Sequence, residues 1–265
     1  MYWVIEGEGA AVHVLGTIHL GSPDLPDPPG EALAAFDSAD RLVGELSSAE
    51  MASAAFAVVG LVARSMLPEG LSVGDYLSRH DSAALRRVFG KRWSSFERLE
   101  PWLVNFLLQA EIMARAGFDE RYGLDRRLYA RAGDREVAGL DTLAGQLALF
   151  DAGGAEDQAA ALSVALRGLL SGDSEEEAKL LLDAYKAGDA DALALLFAGY
   201  RGGLEPGGPE EAEYERVFAV RNRLWAGKIA SWLDEGGTWF VFAGAGHFLG
   251  EGSVFDELRA LGALR

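Results

Sequence analysis

"AVHVLGTIH" (11–19) and "TWFVFAGAGH" (238–247) decide the fold of this chain. Each is an apolar run with the β-branched and aromatic content of a buried strand, and each ends in a glycine followed three residues later by histidine. The first belongs to a hairpin, with a strand at about 2–6, a turn at "GEG" and a second strand at about 11–17. A third short run, "RLVGE" (41–45), also ends in a chemically active residue, Glu45. "REVAGLD" (135–141) reads as a fourth strand position between helical stretches.

Between these strands the pattern is helical: a short helix at about 30–38, then segments of about 49–131 and 142–234. The second segment is interrupted at "SGDSEEE" (171–177) and "GGLEPGGP" (202–209), and "VFDELRALG" is the last helix. Strands therefore cluster at the two ends of the sequence. The expected architecture is an α/β domain spanning 1–265, with a mixed central sheet built from N- and C-terminal segments, helices on both faces and a large inserted helical lobe.

With 49% hydrophobic residues the chain can bury a substantial core. Its formal charge of −17 disfavours nucleic acid and anionic membrane surfaces. The absence of cysteine excludes disulfides, zinc–thiolate sites and cysteine nucleophiles. No stretch reaches the ~18 apolar residues of a membrane span. The nearest, 51–67, is broken by Arg64 and reads as a buried helix or one wall of a hydrophobic groove. Met1 runs directly into "YWVIEGEG", so the chain as it stands reads as cytoplasmic, or as periplasmic or extracellular if a leader has been removed.

In parallel sheets, active sites lie beyond the carboxyl ends of the strands. If the three runs are parallel neighbours, His19, Glu45 and His247 converge at one rim. Taken singly each histidine is a structural residue by default; the pair with Glu45 favours a site. No G-x-S-x-G elbow marks a serine nucleophile. Thr17 flanks His19, while His13 shares a strand face with Leu15 and His80 falls near a helix end.

The fragments "LGTIHLG" (15–21), "VGELSS" (43–48), "YGLDRRLYARAGDREVAGLDTLAGQL" (122–147), "RNRLWAGKI" (221–229) and "FAGAGHFLGEGSV" (242–254) resemble, in order and spacing, the TraB/GumN (TraB/PrgY) family. That family includes the Tiki metalloproteases and is related in fold to erythromycin esterases and a haem-associated lipoprotein. The resemblance implies a metal-dependent hydrolase of Tiki type, with a divalent ion (Mn, Co or Zn) held by His19, Glu45 and His247. Arg221 and a carboxylate, Glu45 or Asp141, would complete the catalytic set, and Thr17, Asp125 and Asn222 would contact substrate. Asp141 stands where family members carry glutamate; one methylene shorter, it reads equally as a distant ligand or as a helix cap.

The expected substrate is a peptide or small molecule. Two alternatives stay open. One is a metal-free hydrolase in which histidine and glutamate activate water, and the other is a non-catalytic protein that binds haem or a peptide. Oligomeric state is not legible.

Overall fold

The computed structural model describes residues 1–204 and 207–264. Glu205 and Pro206, in the expected 202–209 loop, lie outside the described residues. The chain divides into two compact units. One comprises 1–52, 118–145 and 181–265, and the other 53–117 and 146–180. The two expected helical segments are thus shared between units. Helices Leu124–Ala132, Ala190–Gly202 and Arg221–Glu235 belong to the same unit as the sheet.

The first unit holds five strands, β1 (Tyr2–Gly7), β2 (Ala10–Thr17), β3 (Arg41–Gly44), β4 (Val137–Gly139) and β5 (Gly237–Gly244), in the order β1-β2-β5-β3-β4. The hairpin pair β1–β2 is antiparallel, and β2–β5, β5–β3 and β3–β4 are parallel. The N- and C-terminal segments therefore do build one mixed sheet.

The continuous apolar run of β5 follows from burial on both faces. With side chains alternating at period two, Trp239, Val241 and Ala243 pack with Trp225, Ile229 and Leu258 in one core. Phe240 and Phe242 face the other way, meeting the Phe36 ring at centroid distances of 5.2 and 6.1 Å. Tyr129 closes on Phe242 at 5.1 Å. Each fully buried aliphatic or aromatic side chain contributes about 1.5–3 kcal/mol to stability.

Register aligns the strand ends. Thr17 lies opposite Gly244, and Val43 opposite Val241, so Glu45 emerges at the level of Ala243. Two glycines permit this rim to be crowded. A Cβ at Gly44 would collide with the Tyr129 hydroxyl, and one at Gly123 would collide with the carbonyl oxygen of His19. The turn before the helix Leu124–Ala132 can therefore lie against the His19 loop, where Leu124 N–H donates to Ile18 O at 2.9 Å.

The second unit is helical. Helices Pro101–Arg115 and Ala155–Ser171 supply Leu108, Ile112, Leu162 and Leu166 to a separate core, joined by Val73, Leu85 and Trp93. The expectation that 51–67 is a buried helix is not met: in Ser48–Arg64 Phe56 and Val59 are 84% and 71% exposed, whereas Leu61 is buried. Apolar content there exceeds what one packed stripe can hide, so the surplus faces outward. Among the described residues no helix is long and apolar enough to cross a membrane.

Candidate active site at the carboxyl rim of the sheet

The three strand tips expected to meet do meet. β2 delivers His19, β3 delivers Glu45, and β5 runs into a single 3₁₀ turn, Ala245–His247, that carries the second histidine. All three surround Gly244: a Cβ built there would lie 3.2 Å from Glu45 Oε1, 3.5 Å from His19 Nε2 and 3.7 Å from His247 Cδ2. Glycine leaves that space open, and its N–H donates to Glu45 Oε1 at 2.8 Å.

His19 sits between two carboxylates. Its Nδ1 is 3.0 Å from Asp125 Oδ2 and its Nε2 3.3 Å from Glu45 Oε1. Thr17 Oγ1 donates to the other oxygen of Asp125 at 2.8 Å. The His19 side chain is 59% exposed, so this is the open edge of the cluster. The Asp125 charge, aided by Glu45, raises its pKa well above the usual imidazole value, and His19 rests as imidazolium at neutral pH.

Glu45 is buried, which by itself favours the neutral acid; the charge and hydrogen bond of His19, with Arg221 beside it, outweigh burial and hold the carboxyl well below the ordinary range. Arg221 is the hub. Its Nη2 donates to Glu45 Oε2 at 2.6 Å and its Nε to Asp141 Oδ2 at 2.8 Å. Its Nη1 donates to Val217 O at 3.2 Å and lies 3.1 Å from His247 Nε2.

His247 is buried, and burial, reinforced by the Arg221 charge, lowers its pKa to about 3. Its tautomer follows from its neighbours. Asn222 Nδ2 donates to Gly252 O at 2.7 Å, which turns Asn222 Oδ1 toward His247 Nδ1 at 2.6 Å. The proton therefore sits on Nδ1, and the Nε2 lone pair accepts from Arg221. The cluster thus holds one charged and one neutral imidazole, separated by a glutamate and a guanidinium.

Helix Arg221–Glu235 presents Arg221 and Trp225 one turn apart on one face. The guanidinium lies 4.6 Å over the Trp225 ring, the imidazole of His247 is 4.2 Å from it, and Trp225 Nε1 donates to Asp141 Oδ1 at 2.9 Å. Immediately before this helix one π turn, Glu215–Val220, supplies the Val217 carbonyl and places Phe218 5.0 Å from His247. Such π turns recur at functional sites.

Asp141 does not cap the neighbouring helix: its two oxygens accept from Arg221 and Trp225, and the helix start is capped by Thr142 Oγ1, which accepts from Gly145 N–H at 3.1 Å. Thr17, Asp125 and Asn222, expected to touch substrate, are engaged in orienting the two histidines. Trp225 and Phe218 were not singled out from the sequence; the i,i+4 spacing of Arg221 and Trp225 was the available signal.

A divalent ion with three protein ligands does not fit this arrangement. His19 Nε2 and Glu45 Oε1 form one edge, but the lone pair of His247 already accepts from Arg221, whose own charge fills the centre. Among the described residues no group of three or more His, Asp or Glu side chains is placed to hold a metal.

Residues 1–264 match the TraB/PrgY/gumN family. The chain belongs to that family. An uncharacterized protein of Treponema pallidum (strain Nichols) is 31% identical over 270 residues, covering 98% of this chain and 80% of the relative. No solved structure matches. The family match extends over every strand tip and over Arg221, so the cluster lies wholly within the family's span.

Proposed function

We propose that this member of the TraB/PrgY/gumN family is a hydrolase that activates water at the His19–Glu45 edge, acting on a peptide or small acyl compound. The observation that carries the reading is the exposed His19 ring held between Asp125 and Glu45 beside a buried arginine. Above its raised pKa, His19 keeps its remaining proton on Nδ1, directed to Asp125, and offers its Nε2 lone pair to a water proton. The resulting hydroxide adds to the carbonyl carbon, and the imidazolium then returns the proton to the leaving group.

Arg221 has five N–H groups, of which four have acceptors among the described residues. The fifth, on Nη2 next to Glu45, is available to a developing oxyanion, where a fixed donor in a dry setting is worth about 3–4 kcal/mol. His247 and Asp141 hold the guanidinium in place for that role.

A second reading keeps the divalent ion (Mn, Co or Zn), as in the Tiki proteins. In it His19 Nε2 and Glu45 Oε1, 3.3 Å apart, would hold the ion, which would supply an activated water. It requires Arg221 to release His247.

One experiment separates the readings. A mixture of unstructured peptides is incubated with the protein, with and without a chelator or added manganese, cobalt or zinc, and products are read by mass spectrometry. Cleavage that survives the chelator and disappears in His19→Ala and Glu45→Ala is expected. Chelator-sensitive cleavage would transfer the chemistry to a metal. Wild-type turnover in both variants would remove this site from consideration. No turnover, with haemin uptake seen by absorbance, would favour the non-catalytic alternative.

A further inference from the structure

Two residues beyond Gly244 the rim passes Gly246, which also has no room for a side chain: a Cβ there would meet Phe197 at 2.9 Å and Phe218 at 3.2 Å. These three residues are walls of a cavity of about 360 Å³, within the ~300–1,000 Å³ range of small-ligand sites. Tyr214 and Leu249 continue its apolar lining. Its charged members, Arg201 and Glu251, approach each other at 3.5 Å, so the lining is close to electrically neutral.

The rings form a ladder: Tyr214 stacks on Phe218 with centroids 5.1 Å apart, Phe197 tilts against Phe218 at 6.3 Å, and Phe218 touches His247 at 5.0 Å. Neutral walls offering ring faces and edges suit an aromatic or bulky aliphatic guest.

Distance along the rim sets the guest's position. Gly244, beside His19 Nε2 and Glu45, and Gly246, on the cavity wall, are two residues apart, at most about 7 Å. An extended peptide advances ~3.3 Å per residue. We infer that this cavity is a side-chain subsite that accepts an aromatic or large aliphatic side chain within about two residues of the bond being hydrolysed. The inference rests on the hydrolase reading above and adds its substrate class.

The test has two arms. In the first, cleavage positions in the peptide mixture are counted for wild type, Ala198→Trp and Leu249→Ala. Ala198 is exposed on the helix Ala190–Gly202 and lines the cavity, so tryptophan there fills the space without entering a core. A preference of tenfold or more for Phe, Tyr, Trp or Leu within two positions of the cut, lost in Ala198→Trp and shifted toward Trp in Leu249→Ala, is expected. Cleavage without that preference, or with a preference neither variant alters, overturns the subsite and leaves the hydrolase standing.

In the second arm, free indole is offered to the protein and its contact is read by saturation-transfer NMR. Transfer to wild type that Ala198→Trp abolishes supports the cavity as an aromatic site even if no peptide is cut, a result that would count against the hydrolase alone. No transfer to wild type, with no peptide cut, overturns both.

Discussion

Replacing Arg221 by methionine probes the cluster at its hub. The side chain is 10% exposed and pairs with Glu45 and Asp141, which are 9% and 14% exposed. Methionine keeps much of the volume but removes the charge and the four donor contacts. Glu45 retains Gly244 N–H and His19, whereas Asp141 retains only the Trp225 indole among the described side-chain partners. Deleting one partner of a buried ion pair costs about 3–5 kcal/mol, and two half-compensated carboxylates place Arg221→Met near ~4 kcal/mol. That is a large share of the ~5–15 kcal/mol that stabilises a folded domain. Adding Asp141→Asn removes the more isolated charge and is expected to recover part of the loss, with a coupling of about 0.5–3 kcal/mol. Arg221→Lys should fall between, because one ammonium cannot span Glu45, Asp141 and His247 together. Denaturant titration followed by tryptophan fluorescence and far-UV circular dichroism measures each step. A cost below about 1 kcal/mol, the scale of a surface pair, would refute the reasoning.

Two further expectations concern protonation. His247, with its pKa lowered to about 3 by burial, stays neutral in the native state while the unfolded chain takes up a proton below its ordinary value. Stability is therefore lost as pH falls from ~6.5, at up to about 1.4 kcal/mol per unit. His19, raised instead, is protonated in both states below that pH and adds no slope there; its contribution is lost only as pH rises through its folded value. Glu45, depressed, adds a further loss on acidification below the ordinary carboxylate range. In His247→Gln the slope between pH 6.5 and 4.5 should shrink by about that amount, and equal slopes in variant and wild type would contradict it. For activity, Asp125→Asn removes the leading cause of the raised His19 pKa, so the acid limb of kcat/KM should move to lower pH, with the plateau reduced by about 10²–10⁴-fold as the base loses its orientation; an unmoved limb would show that His19 is not the titrating group.

Much of the rim was legible because it is local. The apolar runs of β2, β3 and β5, each ending in a polar residue, needed only strand periodicity and the rule that parallel sheets use their carboxyl ends. What escaped depends on partners far apart in the chain. Asp141 has a capping residue's local context, and only the arrival of Arg221 and Trp225 from about 80 positions later turns it into a clamp. Asp125 reaches His19 because Gly123 allows close approach of two backbones, a contact with no sequence period. Trp225 is fully buried, yet its N–H and ring face serve the site. The π turn before Arg221 leaves no mark in composition. The apolar stretch in Ser48–Arg64 misled because hydrophobicity alone does not say which face has a neighbour.

The central claim is that one site holds two imidazoles in opposite protonation states, bridged by Glu45 and Arg221. Long-range ¹H–¹⁵N correlation of the histidine side chains across pH reads this directly. His19 should be doubly protonated at neutral pH, and His247 should remain the neutral Nδ1–H tautomer down to about pH 4, near its pKa of about 3. His19 and His247 titrating together near the ordinary imidazole value would contradict the account.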